Sequence, residues 1–452
     1  MNVKVTMWWH RSRSRCRGVA MGVRRRVLAL VAGVGVALGS IVAFAATGEA
    51  AVACSSTVWA EGATYTAGQQ VTYQSKLYQA LVTHTAYVGT GWNPAATPTL
   101  WKDLGACSGG TTPTSSPTAS PTVSPTASPS PTTSPVGCAT RGRPAGKVLQ
   151  GYWENWDGAS NGVHPGMGWI PINDSRITQH GYNVLMAAFP VIRSDGTVLW
   201  ENGMDAGVKV PTAAEICAAK TQGATVLMSI GGAAAGIDLS SSAVADKFVS
   251  TIVPILKANN FDGIDIDIET GLTGSGNINT LSTSQANLIR IIDGVLAAMP
   301  SNFGLTMAPE TAYVTGGSVT YGSIWGSYLP IIKKYLDNGR LWWLNMQYYN
   351  GSMYGCAGDS YSAGTVQGFT VQTQCLNNGL TIQGTTVKIP YDKQVPGLPA
   401  QSGAGGGYMS PSLVSQAYNS VPSIKGLMTW SINWDGSKSW TFGDNVKALQ
   451  GR

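Results

Sequence analysis

Between Phe261 and Thr270 the chain reads F-D-G-I-D-I-D-I-E-T, an apolar run in which Asp265, Asp267 and Glu269 alternate with Ile264, Ile266 and Ile268. Side chains of a strand point alternately to its two faces, so the three acids share one face and the isoleucines the other. Crowding three carboxylates into a partly buried site is costly, and it forces at least one of them to hold a proton near neutral pH. Such a row suits acid–base chemistry. A solvent-facing acidic stripe and a set of oxygen ligands for a hard cation such as calcium are the plainer readings. The isoleucine face speaks against both: a strand that packs helices on one face and carries function at its C-terminal end is the unit of a barrel.

A barrel strand needs companions, and the chain supplies them at regular spacing. Strands are predicted at Val148–Tyr152, Asn183–Phe189, Thr225–Ile230, Gly263–Ile268, Gly304–Ala308, Trp342–Tyr349, Val387–Ile389 and Gly426–Trp430, with helical patterns such as Ala243–Lys257 and Ser284–Met299 between them. The expected fold is α/β: a (β/α)8 TIM barrel over residues 137–452, with function at the strand C-termini. Several side chains fall there. Tyr152 ends the first strand and is expected to hydrogen-bond Asp265. Ser229 opens Ser229-Ile230-Gly231-Gly232 after the third, where it could bond the inner acid while the glycines permit a close turn. Met307 and Glu310, in M-A-P-E, are expected to line a cleft. In N-M-Q-Y-Y-N, alternation puts Gln347 and Tyr349 on one face and Met346 and Tyr348 on the other, with Asn350 following. Trp430 ends the eighth strand, at the mouth or as a core residue.

The 452 residues are 43% hydrophobic, ample for a large core, and carry a formal charge of +6. That charge is local. Residues 1–53 hold eight of the 29 basic and one of the 23 acidic residues, leaving 21 against 22 in a nearly neutral body. Neutrality argues against nucleic acid or an acidic membrane as partner. Arg11 to Arg26 lead into an apolar stretch from Val27 to Phe44, followed by small-x-small sites, which reads as a signal peptide and leader over 1–53. A membrane anchor is the alternative, since about 18 apolar residues can just span a bilayer. Export to the extracellular space predicts disulfides among the six cysteines beyond the leader, which allow fifteen connectivities. Sequence proximity suggests Cys54 with Cys107, Cys138 with Cys217, and Cys356 with Cys375, and the first has independent support because those two bracket one small unit.

Residues 108–136 are almost wholly Pro, Ser and Thr and read as an extended linker. Before it, residues 54–107 form a small all-β unit rich in aromatics, with strands near Gln70–Tyr73 and Leu77–Leu81 around a Ser75-Lys76 turn. Most of these rings are needed as core in so small a unit. Tyr87 and Trp92, in the loop-like stretch after His84, are the best candidates for exposed, ligand-facing rings.

The string D-x-x-D-x-D-x-E, preceded by Phe261 and containing Gly263, resembles the signature of glycoside hydrolase family 18, the chitinases and their relatives, and Ser229 to Gly232 resembles that family's S-x-G-G. The resemblance implies that Glu269 is the proton donor, that Asp267 positions the substrate acetamido group, and that Asp265 shares a proton with Asp267. It further implies that Tyr349 bonds the acetamide oxygen and that Trp430 floors the catalytic subsite. Asn350 stands where many members have an acid, as in a Q-x-Y-N branch. The order W-x5-Y-x2-G-x2-V-x-Y-x4-Y-x-A from Trp59, then H-T-A, G-W-x-P and L-W, resembles carbohydrate-binding modules of families 5 and 12, departing at Leu81 and Val82 where one branch has paired tryptophans.

These resemblances imply a secreted, monomeric, retaining chitinase acting on chitin and its oligosaccharides by substrate-assisted catalysis. No metal or organic cofactor is expected, no nucleic acid, and no membrane once the signal is removed. An endo-β-N-acetylglucosaminidase would share the motif, whereas a chitin-binding lectin would typically have lost Glu269. A metal-dependent deacetylase would need more histidines than His164 and His180 beyond the linker. Only Tyr391–Lys425 separates the seventh and eighth predicted strands, too little for a cleft-walling subdomain, so internal cleavage in an open groove is expected.

Overall fold

The computed structural model describes residues 56–60, 63–81, 84–86, 93–95, 97, 100–107, 137–158, 164, 167–233 and 236–452. The chain divides into two compact units, Met1–Thr126 and Ala127–Arg452.

In the first unit Gln70–Tyr73 and Lys76–Ala80 form a hairpin whose second strand also pairs with Trp101–Ala106. The turn is Gln74-Ser75, one residue before the expected place. Both residues have positive φ, as a tight two-residue hairpin requires, so Lys76 is already paired with Tyr73. Tyr65, Tyr78 and Trp101 are buried, confirming that these rings serve as core. Tyr87, Trp92 and Cys54, and with Cys54 its expected bond to Cys107, lie outside the described residues.

The second unit is a parallel eight-stranded sheet: β1 (Val148–Glu154), β2 (Val184–Ala188), β3 (Thr225–Gly231), β4 (Gly263–Asp267), β5 (Gly304–Met307), β6 (Trp343–Leu344), β7 (Gly397–Pro399) and β8 (Gly426–Trp430). Sheet order follows chain order. β8 pairs with β1, and single parallel bridges at Leu344–Gln394 and Gln347–Gly397 close the ring between β6 and β7. Each strand is followed by a helix: α1 (Ser175–Gln179), α2 (Ala213–Thr221), α3 (Ser242–Ala258), α4 (Thr283–Ala298), α5 (Leu329–Asp337), α6 (Val366–Asn378), α7 (Pro411–Ser420) and α8 (Thr441–Leu449).

Both faces of the strands are apolar because both are covered. Outward residues such as Ile264, Ile266 and Leu305 pack against helices, while Tyr152, Met186, Leu227, Trp343 and Met428 fill the interior. At the N-terminal ends of the strands, Lys220 Nζ pairs with buried Asp262 at 2.7 Å. Disulfides join Cys138 to Cys217 and Cys356 to Cys375, as expected for those four residues.

The seventh strand is a correction. Val387 belongs to an antiparallel hairpin, Leu380–Ile382 with Thr385–Val387, and the barrel strand is Gly397–Pro399. A three-residue strand with Gly at one end and Pro at the other has no β-propensity to read, whereas T-T-V-K-I does. The β7–β8 connection is then residues 400–425, shorter than the sequence suggested.

Candidate active site

The alternation of β4 places Asp265 inside the barrel, fully buried. Its lateral neighbours in the parallel register are Ser229 on β3 and Thr306 on β5. Asp265 Oδ2 accepts from Tyr152 Oη at 2.7 Å and Ser229 Oγ at 2.8 Å, and Oδ1 from Thr306 Oγ1 at 2.6 Å and Asn345 Nδ2 at 3.1 Å. Burial pushes the Asp265 carboxyl up, and these four donors pull it back. No hydrogen bond joins Asp265 to Asp267 among the described residues, so the expected proton sharing is not a direct contact here.

Asp267, two residues nearer the mouth, bonds instead to Gln347. The Gln347 side-chain nitrogen donates to Asp267 Oδ1 and Glu269 Oε1 at 2.9 Å each and to the Ala308 carbonyl at 3.1 Å. An amide nitrogen has two hydrogens, so at least one must be shared, and the two acids hang on one donor. Burial, then the charges of Glu269 and Asp265, push Asp267 well above the usual carboxylate range. Glu269 is raised chiefly by burial, with Gln347 opposing. Both acids are thus held above the usual carboxylate range, Asp267 the further, which is the direction that favours proton donation in this row.

Buried tyrosines fix the backbone beneath Glu269. Tyr328 Oη donates to the Ile268 carbonyl and accepts its N–H, both at 2.9 Å, and Tyr313 Oη donates to the Glu269 carbonyl. Gly231 cannot be replaced, since a Cβ there would lie 2.1 Å from the Asp267 carbonyl oxygen. At Gly232 a Cβ would meet the Phe189 ring at 2.8 Å.

Above the acids is a cavity of about 180 Å³ lined by Asp267, Glu269, Gln347, Tyr349, Asn350 and Trp430 among others. The Tyr349 hydroxyl makes no hydrogen bond to another described residue and is available to a ligand. Trp430 lies 5.5 Å from Tyr152 and 6.0 Å from both Phe189 and Trp156, ring centre to ring centre. Phe189 and Trp430 also border a second cavity of about 460 Å³ with Trp156, Val191 and Val208, so an aromatic-lined groove runs on from the acids. Such walls suit sugar rings, whose C–H faces pack on aromatic planes.

Tyr152, Ser229, Asp265, Asp267, Glu269, Gln347, Tyr349, Asn350 and Trp430 are thus brought together. Met307 is not. It faces outward from β5, fully buried among the helix-facing core, because alternation gives the inner face to Thr306. Glu310 is half-buried near enough to feel the Glu269 charge, and burial chiefly raises it. Sequence reasoning missed Thr306 and Asn345, although each has the parity of an inward residue. It also missed Tyr313 and Tyr328, which come from the β5–α5 connection and carried no local signal.

Residues 148–352 match the profile of Glycosyl hydrolases family 18, and residues 58–102 that of Carbohydrate-binding module family 5/12. Over 309 residues the chain is 81% identical to Endochitinase 37 of Trichoderma harzianum, covering 68% of this chain and 92% of that one. It is 80% identical over 311 residues to Endochitinase 4 of Metarhizium robertsii, covering 69% and 90%. The solved structure of a family GH18 chitinase from Chromobacterium violaceum superposes with a TM-score of 0.59 at 30% identity, covering 87% of this chain and 99% of the other.

Proposed function

The chain belongs to family 18 of the glycosyl hydrolases, and on that footing we propose that it is an endo-acting chitinase hydrolysing β-1,4 bonds between N-acetylglucosamine units. The observation that carries the reading is the Asp265–Asp267–Glu269 row at the floor of an aromatic-lined cavity. Glu269 protonates the leaving oxygen while the substrate's own acetamido oxygen attacks the anomeric carbon. Asp267 and the unpartnered Tyr349 hydroxyl orient the acetamide, and Asp267 stabilises the oxazolinium ion. Water activated by Glu269 opens the ion, with net retention. Gln347 keeps Asp267 and Glu269 in mutual register, Asp265 braces the row from below, and Trp430 supports the sugar.

The proposed organisation is a leader at 1–53, a chitin-binding module at 54–107, a linker at 108–136 and the catalytic barrel at 137–452. Disulfides in the barrel are compatible with secretion. Product analysis on chitin oligomers tests the chemistry. The β-anomer is expected first, and fully deacetylated chitosan is expected to be inert. Initial α-anomer, followed by proton NMR, would refute the mechanism.

A further inference from the structure

The inner face of β1 carries a second buried acid that the reaction does not use. Glu154, two residues beyond Tyr152, is fully buried, and so is His164, whose Nε2 lies 2.6 Å from Glu154 Oε2. The other carboxylate oxygen accepts from the Ser431 hydroxyl, and the Glu154 backbone N–H donates to Asn433 Oδ1 at 3.0 Å. Ser431 follows Trp430 directly. Its hydroxyl also caps the short helix Ile432–Gly436 by accepting the Trp434 N–H at 3.2 Å. The carboxylate is therefore wedged between a histidine and the turn that carries the pocket's tryptophan.

Geometry fixes the proton count. His164 Nδ1 is 2.9 Å from the Met167 carbonyl oxygen, which can only accept, so Nδ1 bears a hydrogen. Nε2 faces a carboxylate oxygen at 2.6 Å, where two lone pairs would repel, so a second proton lies between the two residues. Among the described residues, Glu154 is the titratable group facing the ring. Among the same residues the ring also meets the Trp434 ring at 6.2 Å and Gly158, where a Cβ would lie 2.1 Å from Nε2.

We infer that the His164–Glu154 proton bridge positions Trp430 for substrate through Ser431, and releases it when the bridge loses its proton. The inference rests on the reading of Trp430 as the sugar's support. Burial pulls the His164 pKa down, but the hydrogen bond and charge of Glu154 outweigh it, so the net direction is up. The bridge is intact below the ordinary histidine value of about 6.5 and is lost as pH rises through the elevated one.

The test is KM and kcat on a soluble N-acetylglucosamine oligomer from about pH 5 to about pH 9, with oligomer affinity measured by calorimetry in a Glu269→Gln background. In the Glu269→Gln background, where the general acid no longer titrates, Kd rises about tenfold across the alkaline limb and the KM of the unaltered protein rises with it, while loss of the Glu269 proton lowers kcat separately; tenfold is the scale of one charged hydrogen bond. In Glu154→Gln the amide oxygen accepts from Ser431 and the amide nitrogen donates to a neutral His164, so affinity is restored without the extra proton and the limb flattens. Ser431→Ala cuts the link and raises KM at every pH. It carries the test if Glu154→Gln does not fold. An alkaline rise in Glu154→Gln equal to that of the unaltered protein, or an unchanged KM in Ser431→Ala, overturns the inference. A protein that binds oligomers with this pH dependence yet cleaves none would sink the chitinase reading and leave the bridge standing. Cleavage with a pH-flat KM would sink the bridge alone.

Discussion

Asn350 and Gly406 hold each other at two points: the Asn350 backbone N–H donates to the Gly406 carbonyl at 2.9 Å, and the Gly406 N–H donates to Asn350 Oδ1 at 2.7 Å. The pair pins the loop 401–407, whose Ala404 lines the cavity beside Glu269. Asn350 sits at φ 63, a conformation Asn tolerates better than most residues. Asn350→Gly keeps that conformation and removes the side-chain bond. It is expected to raise KM for soluble oligomers about three- to tenfold, the scale of one hydrogen bond, with a smaller change in kcat. Unchanged KM with intact folding would show that the loop needs no clasp.

Glu269→Gln keeps the shape and the contact with Gln347 but cannot donate a proton. Turnover of chitin oligomers is expected to fall at least about 10²-fold while binding, followed by calorimetry, survives. A rate near that of the unaltered enzyme would remove the central claim.

Asp267 is raised by burial and by its acidic neighbours, so the native state favours its protonated form. That contribution to stability is present below the ordinary Asp value near 3.9 and is lost as pH rises through the raised value. Asp267→Asn, which needs no proton and retains an oxygen for Gln347, is expected to be nearly inactive yet more heat-stable than the parent at mildly alkaline pH. The expected gain is about 2 °C or more, narrowing towards acid pH. Thermal unfolding at two pH values decides it, and a parent equally stable at both would contradict the raised value.

Removing residues 54–107 is expected to weaken adsorption and hydrolysis on insoluble chitin about tenfold or more, while leaving short soluble oligomers unaffected, because tethering supplies only local concentration. Equal losses on both substrates would mean that the module takes part in the catalytic site.

The acids of β4 were legible because a strand's alternation is a local rule, and it assigned Asp265, Asp267 and Glu269 to one face before any contact was known. The same rule assigns Thr306 rather than Met307 to the interior; position at the strand end alone does not say which face a residue takes. What stayed hidden is non-local. Nothing near Asn350 announces Gly406, and nothing in G-L-P announces β7, a strand that exists because its neighbours leave a gap for it. The partnership of Glu154 with His164 and Ser431 spans three separate stretches of chain and depends on the closed barrel.

That closure is uneven. Every other neighbouring pair of strands shares a ladder, but β6 meets β7 through the two single bridges at Leu344–Gln394 and Gln347–Gly397. A ring with one seam breathes there first, since local opening follows the fewest cooperative hydrogen bonds, and the amides of Val395 and Gly397, which donate across it to Leu344 and Met346, are the ones hydrogen exchange would find most labile. Gln347 sits on that seam, yet its backbone stays bridged to Glu310 and its N–H bonded to the Pro309 carbonyl at 3.0 Å, so a parting of β6 from β7 opens the wall beside the acids while the nitrogen that ties Asp267 to Glu269 keeps its anchor on the β5 side.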